Sequence, residues 1–145
     1  MSKQDEAVEL FKEGCACSQA VFGAYCEDLG LDRLKAFKIA SGFAGGMRKG
    51  EVCGAVTGSL MVLGLKYATD DCDKRDSRLA LYSLVRDFED RFISLNKTII
   101  CRELLGCDIS TPDGMKEATD KNLFKTTCAK LVRDAAAILD GMIDD

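Results

Sequence analysis

A single proline, Pro112, stands in 145 residues. Proline is the strongest single breaker of helical hydrogen bonding, so almost nothing in this chain forbids helix. Val, Ile and Thr seldom alternate with polar residues, and the two-residue period of a half-buried strand is scarce. Residues 77–97, SRLALYSLVRDFEDRFISLNK, give the clearest helical period, with Leu81, Leu84, Val85, Phe88 and Phe92 on one face. The sequence therefore predicts an all-α fold. It reads as a single-domain helical bundle over residues 1–145, of about six to eight helices, with a glycine-rich loop before the central one.

Capping chemistry marks the boundaries. Ser2 caps a first helix to Lys12, with Asp5 three residues on in the manner of a capping box. A second runs from Cys17 to a glycine stop at Gly30, with Leu31 as its hydrophobic follow-through. Asp32 caps a third, whose Leu34, Phe37, Ala40 and Ala44 keep to one face. The fourth is expected from Val52 to Ala68, and Asp73 or Asp76 caps the long fifth. A short helix follows at TIICRELLG (98–106); Thr111 then caps another, with Pro112 at its first position. The last, TTCAKLVRDAAAILDGM (126–142), carries Cys128, Leu131, Val132, Ala135 and Leu139 on one stripe.

Two counts restrict the chemistry: eight cysteines and no histidine. Without histidine, no Ser-His-Asp or Cys-His catalysis, His-ligated zinc, His-ligated haem or ExxH di-iron element is possible. A net charge of −4, with Lys and Arg interleaved among Asp and Glu, argues against nucleic acid as a partner. No run reaches the roughly 18 apolar residues of a membrane span. The opening MSKQDEAVELFKEG is acidic where a secretion signal would be basic and then apolar. A cytoplasmic location is expected, where thiols stay reduced, so metal binding or thiol chemistry explains the cysteines better than structural disulfides.

None of the cysteines forms a CxxC pair, and their informative property is position. Cys17, Cys53, Cys101 and Cys128 fall in or near the first turns of expected helices. Unpaired amides and the helix dipole there favour thiolate and lower its pKa. Cys26 and Cys72 read as apolar filler, while Cys15 and Cys107 are near enough in sequence to act as resolving thiols. Around Cys53 lies GFAGGMRKGEVCGAVTG, six glycines from Gly42 to Gly58. Gly54 and Gly58, four apart, leave a helix face almost bare, and interior helix glycines cost about 1 kcal/mol each relative to alanine. Close approach of another backbone or a cofactor is the compensating reason, with Gly45, Gly46 and Gly50 turning the chain. The run lacks the GxxxxGK[ST] and GxGxxG patterns of a phosphate cradle. Arg48, Lys49 and Glu51 read as solvated loop charges, the two cations being placed to steer an anionic partner.

At CSQAVFGAY, ASGFAGGMRKGEVCGAVTG, CRELLGCDIS and the late Cys128, the chain resembles, over nearly its whole length, a family of redox-active proteins named for a C-GCAxxG-C-C cysteine pattern. The resemblance implies an all-helical fold, Cys17, Cys53, Cys101 and Cys128 as the family cysteines, and a redox or cluster-related role. A related segment occurs in split-Soret cytochromes, with a cysteine-ligated iron–sulfur cluster. The present chain has no CxxCH, so their haem does not carry over. Cys15 departs from the pattern, standing where an aromatic residue is common.

Three readings result. In the first, the four thiolates ligate an iron–sulfur cluster or zinc for electron transfer or metal handling. In the second, Cys53 is the nucleophile of a thiol–disulfide protein resolved by Cys17, Cys101 or Cys128. In the third, the cysteines are core filler in a helical interaction protein. The first two require an unidentified redox partner protein, and the apolar helix with its close-packing glycines is compatible with a homodimer.

Overall fold

Apart from Ser18 and Gln19, the segment CSQAVFGAY has no strongly polar side chain to offer water, and a helix apolar nearly all round belongs in a core. The chain builds its bundle around it. In the computed structural model, which describes residues 1–143, the helices in order are α1 (Lys3–Lys12), α2 (Cys17–Tyr25), α3 (Arg33–Ala40), α4 (Gly54–Tyr67), α5 (Arg75–Asn96), α6 (Cys101–Leu105), α7 (Pro112–Asp120) and α8 (Ala129–Met142). Asp144 and Asp145, the last positions of the expected 1–145 domain, lie outside the described residues. α2 is the CSQAVFGAY helix and packs against α1, α3, α4 and α8, while α5 lies along α4 and α8. Among the described residues there is no strand, so the fold is all-α as expected. No helix among them is long and apolar enough to cross a membrane.

The polar groups of α2 are consumed in holding its neighbours. Buried Ser18 donates its hydroxyl to the Ala40 carbonyl at 2.8 Å, and Gln19 donates its amide to the Phe37 carbonyl at 3.0 Å. Both bonds fix the end of α3 to the start of α2, and neither leaves a buried group unpaired. Gln19 Oε1 also accepts the Ala16 N–H at 2.8 Å, so the amino end of α2 is capped from inside the helix. At the other end the Tyr25 hydroxyl donates to the Asp140 carboxylate at 2.7 Å, tying α2 to α8.

Several caps match the residues that announce them. Asp32 accepts the Lys35 N–H and Thr111 the Gly114 N–H, with Pro112 opening α7. Ser2 accepts the Asp5 N–H at 3.1 Å, but the Asp5 carboxylate pairs with Arg133, so only half of the capping box forms. α2 stops earlier than expected, at Tyr25. A 3-10 turn, Glu27–Leu29, separates it from Gly30, whose φ of 86° ends the segment, and Leu31 donates back to Cys26. Neither Asp73 nor Asp76 caps α5; Lys74 holds that position with no side-chain bond.

Two apolar stripes are also narrower than expected. In α5 only Phe88 and Phe92 are buried, their rings stacked 6.2 Å apart, and Leu81, Leu84 and Val85 are partly covered. In α3 the inward face is Ala36 and Ala40, and Leu34 is 69 % exposed. The cause is the close packing of α3 on α2. A Cβ at Gly23 would lie 2.5 Å from the Phe37 ring, so Phe37 fills the space over that glycine while Leu34 points away.

Candidate functional site

Between α3 and α4 the chain makes a left-handed turn. Gly45, Gly46, Met47 and Arg48 have φ of 67°, 64°, 59° and 65°, and Gly50 has 67°. Glycine takes this conformation without penalty, whereas Met47 and Arg48 carry a cost of about 1–2 kcal/mol each. The turn closes through a hydrogen bond from the Glu51 N–H to the Gly46 carbonyl at 3.0 Å and sends residues 51–53 out extended.

That extended piece meets residues 99–101. Val52 and Ile100 form an antiparallel bridge, in which Cys53 N–H donates to the Ile99 carbonyl and Cys101 N–H to the Glu51 carbonyl. Each bonded cysteine directly follows a bridge residue, so one pairing sets both. Arg102 reinforces it by donating to the Gly50 carbonyl at 3.1 Å and pairing with Glu51 at 2.9 Å. The bridge also explains why α4 and α6 begin later than expected: residues 52 and 100 are engaged in it. Cys53 then caps α4 and Cys101 opens α6.

The third thiol arrives through the bare face of α4. A Cβ at Gly54 would sit 2.3 Å from Cys17 Sγ, and one at Gly58 would sit 2.6 Å from the Ser18 carbonyl oxygen. The two glycines thus admit the amino end of α2, where Cys17 is the first residue. Cys128 is placed differently. It ends a π-type turn, Phe124–Cys128, that runs into α8, and its N–H is used by the Leu123 carbonyl at 3.0 Å. It stands immediately before α8, near the helix start as expected, but with helical geometry already begun at Phe124. Widened turns of this kind recur at functional sites.

Cys17, Cys53, Cys101 and Cys128 all line one cavity of about 170 Å³. Its walls are otherwise apolar except for Arg48, with Phe11, Leu104, Met115, Phe124 and Leu131 on the bundle side and Ala44, Gly45 and Arg48 on the loop side. The remaining cysteines stand apart from this lining. Cys26 is buried in the core, Cys72 is exposed, and Cys15 and Cys107 are half-buried; all eight are free thiols. Among the described residues, no group of three or more Cys, Asp or Glu side chains is arranged to hold a metal ion. The four sulfurs line a volume.

Electrostatics correct one expectation. Backbone amides do favour thiolate here, those of Gly45, Ser18 and Gly54 at Cys17 and those of Ala55 and Val56 at Cys53. Burial outweighs them. It raises the Cys17 thiol and drives the Cys53 thiol far up, with the neighbouring Cys17 adding to the latter. Cys101 is pushed up to about 11 by burial and then by Cys17, with Arg48 opposing. Cys128 is pushed to about 12 by burial and by the charges of Cys17, Cys101 and Cys107.

A pH dependence follows for the metal-free chain. These folded values lie above the ordinary 9.0, so the neutral thiols' contribution to stability is whole below about pH 9 and is lost as pH rises through 11 and 12. The melting temperature should fall over that window, and less steeply when all four are replaced by alanine. Iodoacetamide near neutral pH should label exposed Cys72 well before Cys53 or Cys101; equal rates would contradict the burial argument.

Sequence reasoning singled out the four cysteines that line this cavity and the two glycines that pack on α2. It missed the Val52–Ile100 bridge and the apolar wall from Phe11, Leu104 and Phe124, because neither leaves a local pattern. Against known proteins, the family model described as "Putative redox-active protein (C_GCAxxG_C_C)" matches residues 15–142. No curated protein and no solved structure matches the chain.

Proposed function

This chain belongs to the C_GCAxxG_C_C family of redox-active proteins, and on that footing we propose that Cys17, Cys53, Cys101 and Cys128 hold an iron–sulfur cluster for electron transfer. The observation that carries the reading is the convergence of four thiols, from separate parts of the chain, on one apolar cavity. The donor set fits: soft thiolates select iron–sulfur clusters or zinc, and four of them match the ligand number of either. The cavity of about 170 Å³ among the four residues supports a cluster over a single ion.

Such a cluster, when bound, would supply one-electron chemistry at a potential tuned by hydrogen bonds and solvent exposure. The chain's own residues set those conditions. The paired backbones at Val52 and Ile100 fix Cys53 and Cys101, and the α2–α4 contact fixes Cys17. The bundle-side wall lines the cavity with apolar side chains. Burial and mutual repulsion hold the empty thiols protonated, a state that a cationic group reverses by releasing their protons.

The reading with Cys53 as a disulfide-forming nucleophile has weaker support, since burial opposes its thiolate. Cysteines serving as filler would pack against one another and leave no cavity among them. Anaerobic purification followed by iron and acid-labile sulfide analysis tests the proposal. Iron and sulfide in comparable amounts, with visible absorption, are expected. Both should be lost in Cys17→Ser, Cys53→Ser, Cys101→Ser and Cys128→Ser and kept in Cys72→Ser. Colourless, metal-free protein, with all four thiols titratable once it is denatured, would overturn it.

A further inference from the structure

Residues 33–50 contain five basic side chains and no acidic one, in a chain whose net charge is −4. Arg33 is occupied by Glu6 and Glu27. Lys35, Lys38, Arg48 and Lys49 are exposed, and no ion pair among the described residues includes them. Between them stand Leu34, Ile39, Phe43 and Met47, which are 69, 53, 37 and 40 % exposed.

These residues are ordered. Leu34, Lys35, Lys38 and Ile39 share the face of α3 turned away from buried Ala36 and Ala40, at the three- and four-residue spacing that makes helix neighbours. The exposed face continues through Ser41, Gly42 and Phe43 to the left-handed turn at Met47, Arg48 and Lys49. The same turn is a wall of the four-thiol cavity, through Ala44, Gly45 and Arg48. Strain held in a non-glycine left-handed backbone clusters at functional sites, and here it presents Met47 and Arg48 beside that wall.

We propose that this basic and apolar face docks a small acidic redox protein next to the cavity. The inference rests on the four-thiol reading for its purpose and on charge complementarity for its partner. A protein surface suits the pattern better than a lipid surface. An interfacial helix segregates its apolar side from its charges, whereas the exposed side of α3 mixes Leu34 and Ile39 with Lys35 and Lys38. Apolar anchors among polar, charged neighbours are the composition of a protein interface.

The test titrates the full, anaerobically purified chain with an acidic plant-type ferredoxin by calorimetry, at low and at physiological salt. Binding at low salt is expected, weakened about tenfold or more by the added salt because exposed charges are screened. The triple variant Lys35→Glu/Lys38→Glu/Lys49→Glu should abolish binding, and Lys116→Glu/Lys121→Glu should not. Leu34→Ala/Ile39→Ala should weaken binding while leaving its salt dependence intact. Iron and sulfide are measured on each of these surface variants and should be unchanged. The Cys53→Ser chain should bind ferredoxin like the parent, so failure of docking and failure of the cluster reading are told apart. No binding at low salt, or binding that survives the triple reversal, overturns the proposal. So does uptake by phosphatidylserine vesicles through the same lysines in the absence of ferredoxin binding.

Discussion

On the proposed four-thiol reading, replacing Gly54 by alanine is expected to weaken iron binding far more than it lowers the melting temperature. The added Cβ would lie 2.3 Å from Cys17 Sγ, 3.2 Å from the Ser18 nitrogen and 3.3 Å from the Ala44 Cα. The sulfur is the most movable party, since it ends a side chain with one torsion, while the two backbone atoms must each give by a few tenths of an ångström. The clash is therefore relieved by turning Cys17 out of the cavity, a rotamer change costing of order 1 kcal/mol. Three thiols then remain at the cavity where the proposed cluster takes four. Misplacing a ligand this way should lower iron affinity by at least about tenfold, with a melting shift under roughly 5 °C. Full iron content in Gly54→Ala would show that Cys17 is not a ligand.

Four residues on, the same kind of change has the opposite balance. A Cβ at Gly58 would meet the Ser18 carbonyl oxygen at 2.6 Å and the Ser18 Cα at 3.1 Å, and neither atom can rotate away. In Gly58→Leu the whole side chain must enter the α2–α4 contact, so the helices separate and buried Val21 and Phe22 lose their neighbours. Overpacking of this kind costs about 3 kcal/mol, against a gain of about 1 kcal/mol from removing an interior helix glycine. The net loss should lower the melting temperature by roughly 5–10 °C. Gly64 in the same helix has nothing within 4 Å of its Cβ position, so Gly64→Ala should raise stability by about 1 kcal/mol. A Gly58→Leu chain as stable as the parent would mean that the two helices do not approach as described.

The contrast shows which parts of the molecule a reader of the sequence can reach. Asp32, Thr111 with Pro112, and Gly30 act through bonds spanning a few residues, and each was legible. The four-residue spacing of Gly54 and Gly58 announces a bare helix face, although not that the Cys17–Ser18 end of α2 fills it. The bridge of Val52 with Ile100 was not legible: one pair of residues, brought together over about a third of the chain, has no period to detect. Nothing in Met47 or Arg48 announces a left-handed backbone, which the flanking glycines impose. The thiol pKa values were misjudged for a related reason. The amides at Cys17 and Cys53 are local and were anticipated, but the burial that outweighs them belongs to the assembled bundle.

The most direct test of the account is a comparison of thiol protection in loaded and metal-free protein. Anaerobically isolated protein is alkylated without denaturation, before and after its iron is removed by a chelator, and each cysteine is followed by mass spectrometry. The account predicts that Cys17, Cys53, Cys101 and Cys128 are shielded together in the loaded protein and gain reactivity together on iron removal, each still slower than exposed Cys72, which reacts alike in both. Four independent labelling rates, indifferent to the iron, would contradict it.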